Sequence, residues 1–260
     1  MIAPSISVIT INFNDSAGLK RTLDSVFSQS YSNLESVVID GGSTDSSAQV
    51  IQSRINEIGK WVSEPDRGIY NAMNKGIKLA TGDFILFLNS GDVFTTDESL
   101  AKFVQHPNFK GDIIYGDYNF GQGEKLYPDR PSLYFLFKSS LPHQSTLFKA
   151  DVFERVGLYN EEYKITSDRE FYIKALVRGD IEFSHVDVAL TTFDQEGISN
   201  DPNSRALKQE ENHEMLREHF GPFYDDYLQF IQIEHENNRL KRGKLVRFWA
   251  RFKRKVFGGK

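Results

Sequence analysis

From residue 6 to residue 88 the chain switches repeatedly between two hydrophobic periods, and no other feature restricts its fold as much. "ISVITI" (6 to 11) is β-branched and apolar, as a strand covered on both faces must be. "GLKRTLDSVFSQS" (18 to 30) then sets Leu19, Leu23, Val26 and Phe27 at helical spacing. A second strand, "LESVVI" (34 to 39), leads into the polar turn "DGGSTD" (40 to 45) and a helix near 46 to 58. The short strand "WVSE" (61 to 64), a helix near 69 to 80 and the strand "DFILFL" (83 to 88) complete the run. Strands alternating with helices of this length need right-handed crossovers, so the expected fold is α/β with a largely parallel sheet. Ligands of such sheets sit beyond the carboxyl ends of the strands. Three loops should therefore meet there: Asn12 to Ser16, Asp40 to Asp45 and Asn89 to Asp92.

After residue 115 the pattern is less regular. "IIYGDYNF" and "KLYPDR" suit antiparallel strands, "EFYIKALVRG" (170 to 179) reads as a helix, and residues 203 to 238 are polar and helix-prone. With 260 residues, 39% of them hydrophobic, the chain can bury a substantial core. It has no cysteine, which excludes disulfides, thiolate zinc sites and a cysteine nucleophile. "MIAPSISVITINF" lacks the basic-then-apolar order of a signal peptide, and no run of about 18 apolar residues occurs. Cytoplasm is the expected compartment.

Charge is unevenly spread. Ten of the 31 Lys and Arg fall in residues 239 to 260 with none of the 36 Asp and Glu, leaving 21 against 36, or −15, on the remainder. Leu245, Val246, Phe248, Trp249, Phe252, Val256 and Phe257 alternate with those cations. As a helix this tail would have an aromatic-rich apolar side and a cationic side, the pattern of a segment lying on anionic lipid. A solvated or nucleic-acid-binding tail is the alternative, since basic residues alone do not choose a polyanion. The aromatic content favours a membrane surface, and no nucleic acid is expected.

Three motifs carry chemistry. In "VVIDGGSTD", Asp40 ends a buried strand and can accept hydrogen bonds from a base or ribose, while the glycines let backbone approach a ligand. Ser43 or Asp45 capping the next helix explains part of the same stretch. "FLNSGD" ends the fourth strand with one carboxylate, Asp92, and is also good turn chemistry. "YKITSDREF" puts Asp168 before a helix, where Ser167 or Asp168 followed by Glu170 also makes a plain helix start.

"SVITINFND", "VIDGGSTD", "SEPDRGIYNAMNKGIKLATGDFILFLNSGD" and "HQSTLFKADVFERVGLYNEEYKITSDREF", in that order, resemble the family 2 glycosyltransferases of the GT-A fold. The resemblance spans roughly residues 5 to 200 and points to bacterial enzymes building exopolysaccharide, capsule or O-antigen repeat units. It implies a nucleotide-diphosphate sugar donor, uridine being the expected base, a divalent metal (Mg2+ or Mn2+), and inverting transfer to an acceptor hydroxyl. It also implies a GT-A fold with a Rossmann-like, mostly parallel sheet and helices on both faces, comprising a donor half over 1 to 115 and an acceptor half of the same domain over 116 to 202. Beyond it the residue pattern gives a helical extension over 203 to 238 and the basic, membrane-associating tail over 239 to 260. Such an enzyme would work peripherally at the inner face of the cell membrane on a polyprenyl-diphosphate-linked saccharide. The Gln-x-x-Arg-Trp motif of processive synthases is absent, which fits single addition.

Residue by residue, the resemblance assigns Thr10, Asn12 and Asn14 of the first loop, with Asp40, Gly41 and Ser43, to the nucleoside. Asp66 and Arg67 would lie near base, ribose or diphosphate, and Asn71 stands where many relatives have Asp. Arg67 and Lys75 offer cations to a diphosphate, although Lys75 reads more simply as a solvated helix residue. Asn89, Ser90, Gly91 and Asp92 align with the family's Asp-x-Asp-Asp, so Asp92 alone remains as an anionic metal ligand. Magnesium can manage with one carboxylate when water and phosphates fill its other positions. Gly91 would also let backbone come close to the sugar. His143 and Gln144 would face the sugar and acceptor beside Ser167, and Asp168 would be the base. Ser199 and Arg205 would belong to an acceptor-side loop, whose Asn, Asp and Pro equally describe an ordinary exposed loop. A catalytically silent nucleotide-sugar binding or scaffold protein is the competing class. A nucleotidyltransferase is disfavoured because no glycine-rich, cation-bearing triphosphate loop follows the first strand.

Overall fold

The computed structural model describes residues 3–121, 123–193 and 202–242. Strand β1 (Ile6–Asn12) is buried along its whole length because it is central. Parallel β2 (Leu34–Asp40) flanks it on one side and parallel β4 (Phe84–Phe87) on the other, with β3 (Lys60–Ser63) beyond β2. The crossovers are α1 (Ser16–Phe27), α2 (Ser47–Ser53) and α3 (Ile69–Leu79). Leu19 and Leu23 of α1 and Ile51 of α2 cluster with Val38, whereas Gly76 of α3 lies against Ile9 and Ile39. Successive strand residues point to opposite faces, so these helices cover both.

Next come β5 (Val93–Phe94), α4 (Ser99–Gln105), β6 (Ile113–Phe120), β7 (Gly123–Lys125) and α5 (Leu133–Lys138). They are followed by β8 (Thr146–Lys149), α6 (Val152–Val156), α7 (Ser167–Arg178) and β9 (Phe183–Thr192). Across the sheet the order is β3-β2-β1-β4-β8-β6-β9-β5, with β7 on β6. β8 is antiparallel to both β4 and β6, β9 is parallel to β6, and β5 is antiparallel to β9. The sheet is thus mostly parallel, as expected, with its reversal where β8 inserts.

Two cores hold these layers. One face gathers Val8, Leu86, Leu88, Phe103, Ile114 and Leu147. On the other, Phe148 stacks on Tyr172 with ring centres 5.8 Å apart, and Phe153 meets Phe171 at 5.1 Å. Each such fully buried side chain contributes about 1.5–3 kcal/mol by leaving water.

Several boundaries differ from expectation. The helix expected to residue 58 stops at Ser53 because the Arg54 carbonyl accepts the amides of Glu57 and Ile58, a turn that buries Ile58. "KLYPDR" contributes only Lys125 to a strand, since Pro128 lacks a ladder donor; β7 pairs with β6 one step earlier, at Gly123 to Lys125. Strands β8 and β9 were not anticipated.

The chain divides into Met1–Asn212 and His213–Lys260. The boundary falls inside α8 (Arg205–Phe220), which α9 (Tyr224–Arg242) follows. In the second unit His213 Nδ1 lies 2.7 Å from the Tyr224 hydroxyl. Among the described residues no helix is long and apolar enough to cross a membrane. Most of the basic tail, from residue 243 onward, lies outside the described residues, as does Ser199.

Candidate active site

The site begins with sheet register. Parallel pairing sets Asn12 of β1 opposite Asp40 of β2, and Asp40 opposite Ser63 of β3, at the carboxyl ends of all three strands. Asp40, 1% exposed, accepts from Asn12 Nδ2 at 2.7 Å, Ser43 N at 3.0 Å, Ser43 Oγ at 2.5 Å and Ser63 Oγ at 2.6 Å. These bonds occupy the lone pairs of both oxygens. Burial opposes ionisation of Asp40, but the donors from Ser43, Ser63 and Asn12 outweigh it and hold the carboxyl below its usual range. Asn12 also accepts from Ser90 Oγ at 2.9 Å and so links a third strand end. Asn14, at φ 50°, completes the join: its side-chain oxygen accepts Thr44 N at 2.7 Å and its amide donates to Ser43 Oγ at 2.8 Å. Asp45 accepts from Ser16 N and Ser47 N, tying the starts of α1 and α2.

Thr22 of α1 shapes the "NSGD" turn. Its Oγ1 donates to the Asp92 carbonyl at 2.8 Å and accepts Gly91 N at 3.0 Å. Gly91 sits at φ 98°, a conformation side chains rarely adopt, so its glycine serves the turn. Gly41 leaves room for Asp66: a Cβ there would lie 2.4 Å from Asp66 Oδ2 and push that carboxylate aside.

Beyond these loops lies a cavity of about 830 Å³. Asn14, Gly41, Asp66, Asn89, Ser90, Asp92, His143 and Asp168 line it, so eight of the residues expected from sequence converge on one space. Asp168 stands in the first turn of α7, where the helix N-terminus favours a carboxylate. Tyr70 donates to its Oδ1 at 3.1 Å and Ser140 approaches Oδ2 at 3.5 Å. Burial, then the Asp168 charge, raises the Tyr70 pKa, so the phenol stays a donor. Burial lowers the His143 pKa against the opposing pull of Asp168. The neutral ring can accept at Nε2 from Asn89 Nδ2, 3.3 Å away.

Other expected residues lie elsewhere. Thr10 is buried in β1 with its hydroxyl unpartnered. Gln144 and Ser167 are buried and do not line the cavity, and Arg205 is an exposed residue opening α8. Lys75 is part-buried rather than solvated, pairing with Glu64 at 2.8 Å and donating to the Pro65 carbonyl at 3.2 Å. Arg67, with its side chain 79% exposed, pairs with Glu161 at 2.5 Å. Asn71 and Asn74 donate to that same carboxylate at 2.9 and 3.1 Å. Bonds from Arg67 and Asn74 outweigh burial and bring the Glu161 pKa to about 2.

Phe13 and Asp15, inside the first-strand loop expected at the site though not singled out, also line the cavity, as do Arg21, Tyr70 and Lys164, which were missed. Phe13 had a signal, an aromatic side chain just past a strand end, and is 64% exposed; Asp15 had another, as the residue that caps α1 through Gly18 N. Tyr70 and Lys164 are placed by contacts distant in sequence, to Asp168 and Glu211.

A divalent cation fits this donor set only with help. Among the described residues no three His, Asp or Glu side chains form a metal-holding group. Asp92 lines the cavity beside Asn89, whose amide oxygen is buried without a hydrogen-bond partner. One carboxylate and one amide oxygen are the hard donors Mg2+ or Mn2+ accepts when phosphates and water supply the rest.

Glu161 yields a pH test. Its folded pKa is depressed, so its stabilisation is present above about 4.5 and is lost as pH falls towards about 2. Melting temperatures of wild type and Glu161→Gln should differ most at neutral pH and converge across that window; a constant gap would contradict the assignment.

The profile described as Glycosyl transferase family 2 matches residues 7–160. An uncharacterized glycosyltransferase of Mycobacterium tuberculosis is 38% identical over 184 residues, covering 66% of this chain and 69% of that protein. A PGL/p-HBAD biosynthesis glycosyltransferase of the same species is 30% identical over 211 residues, covering 77% and 81%. Among solved structures, S. aureus TarS 1-349 in complex with UDP-GlcNAc superposes with a TM-score of 0.64 at 20% identity, over 83% of this chain and 65% of that one. Of the longer TarS structure this chain spans 44%. The mannosyltransferase PcManGT of Pyrobaculum calidifontis, in complex with GDP-Man and Mn2+, gives 0.58 at 14% identity, over 100% of this chain and 89% of that one. Architecture and strand-end site agree with the sequence match, and the chain belongs to glycosyl transferase family 2.

Proposed function

We propose that the protein is an inverting glycosyltransferase that moves a sugar from a nucleotide-diphosphate donor, a uridine one, to a hydroxyl of a lipid-linked saccharide. The observation that carries this reading is the single cavity lined both by the strand-end loops, through Phe13, Gly41 and Asp66, and by Asp92, His143 and Asp168. UDP-GlcNAc in the TarS neighbour supports the donor class, and the biosynthesis glycosyltransferase name of a relative supports sugar transfer.

In this reading Phe13 offers its ring to the base, and Gly41 leaves room for Asp66 to meet base or ribose. Asn12, Asp40 and Ser43 hold the loops that do so. Arg67 reaches a phosphate by exchanging Glu161 for it, with Asn71 beside it. His143 faces the sugar, Gln144 and Ser167 support the acceptor side from behind, and Ser199 and Arg205 belong to the acceptor loop. Asp168 removes the proton of the attacking hydroxyl. That oxygen forms the new bond to C1 while the bond from C1 to the phosphate oxygen breaks on the opposite face, inverting the carbon. The departing diphosphate keeps the electron pair. Tyr70 orients the base. The cavity wall carries Asp15, Asp66, Asp92 and Asp168 against Arg21 and Lys164, an excess of negative charge for a diphosphate to enter. Asp92 and Asn89 would hold Mg2+ or Mn2+, which when bound supplies Lewis-acid stabilisation of the leaving charge.

The missing carboxylates at Asn89 and Gly91 are the observation that favours the second reading, a silent nucleotide-sugar binder. Turnover of UDP-sugars with Mg2+ or Mn2+ and a lipid-linked acceptor separates the two. Asp168→Asn should lower kcat by about 10²–10⁴-fold with donor affinity retained; wild-type turnover would remove it as base. Asp92→Asn should abolish the metal dependence of donor binding measured by calorimetry, and an unchanged dependence would refute the ligand. Deleting residues 239 to 260 should release the protein from phosphatidylserine vesicles in sedimentation, and retention would reject the anchor.

A further inference from the structure

Asp168 sits in a helix that lacks a side-chain cap of its own. Thr166, at the N-cap of α7, makes no capping bond, and the Ser167 hydroxyl is buried without a partner. The residues leading into α7 are held from α8. Glu211, 6% exposed, accepts Lys164 N at 2.7 Å on Oε1, and Ile165 N at 2.9 Å and Thr166 Oγ1 at 3.3 Å on Oε2. On the far flank of Asp168, Arg169 donates through Nε to the Leu136 carbonyl at 2.7 Å and through its terminal nitrogen to Asn212 Oδ1. Asn212 is itself fixed by a bond to the Lys208 carbonyl at 2.6 Å. Lys164, Ile165 and Asp168 all line the cavity.

We propose that Glu211, with its neighbour Asn212, is a positioning residue: Glu211 fixes the backbone of Lys164 and Ile165 before Asp168, Asn212 holds the Arg169 side chain after it, and together they set where the base and Lys164 stand. A carboxylate is suited to this. It offers two acceptor oxygens in a fork, and its bonds to backbone N–H are charge-assisted and roughly twice as strong as neutral ones. Glutamine would present an NH2 to one of two N–H groups and break the fork. Because the loop carries no local cap, loss of the fork frees the segment before Asp168 and leaves the turn held only through the Arg169 side chain. The nucleoside loops, held by Asn12 and Asp40, do not depend on it.

The inference rests on Asp168 acting as the base, and its test keeps the two apart. In Glu211→Gln, the amides of Lys164 and Ile165 should exchange hydrogen at least about tenfold faster, while Ile11 and Ile39 exchange as before; unchanged exchange overturns the clamp whether or not the wild type is active. In an active wild-type background the same variant should lower kcat about 10- to 100-fold, with UDP affinity within about twofold. Glu211→Asp, which keeps the charge, should recover part of the loss. In an Asp168→Asn background Glu211→Gln should cost nothing more, because the group it positions is gone. Undiminished kcat, or a full further loss in that background, overturns the positioning role alone. A wild type without turnover overturns the functional reading and the catalytic part of this one together.

Discussion

The site depends on one amide. Asn12 donates to Asp40 and Ser43 and accepts from Ser90, so a single side chain at the end of the central strand joins the loops after β1, β2 and β4. Each loop alone is short and polar, with little apolar surface to hold it. Parallel register makes the join possible, since it brings Asn12, Asp40 and Ser63 into one row. The carboxylate at the centre of that row is dry and fully bonded, the condition under which a buried charge stabilises instead of destabilising. The shape presented to a donor follows from this row more than from any residue that would touch the donor.

The second constraint is where the sheet reverses. β8 enters antiparallel between β4 and β6, and the short helical turn His143–Ser145 that precedes it delivers His143 next to Asn89 at the end of β4. Helix α7 adds Asp168 from the same part of the chain. Asp40, Asp66 and Asp92 thus come from the parallel half of the sheet, whereas His143 and Asp168 come from segments flanking β8. One space is therefore lined by two loop sets of separate origin in the chain.

The first half of this arrangement was legible because β1 and β2 are buried on both faces and read as continuous apolar runs between helices of clear period. The positions of Asp40 and Asp92 were legible because motif and strand end coincide, and that of Asp168 because its motif opens a helix. β9 was not, since its pairing with β6 shifts register around Gly116 to Tyr118 and breaks the alternation a reader would look for. Tyr70, Glu161 and Glu211 escaped for another reason. Each acts on a partner tens of residues away, 98 in the case of Tyr70 and Asp168, and nothing local marks a buried carboxylate as the holder of a distant loop.

The carboxylate of Glu161 constrains what can stand at position 71. It is surrounded by Arg67, Asn71 and Asn74, and the Asn71 amide donates to it at 2.9 Å while the Asn71 side-chain oxygen accepts the Arg67 amide. An Asp at 71 would lose the donor and place a second anion against Glu161 with one guanidinium between them, and like charges at that distance repel. The neutral amide is therefore matched to its neighbour: it can face an anion and an N–H at once, which a carboxylate cannot.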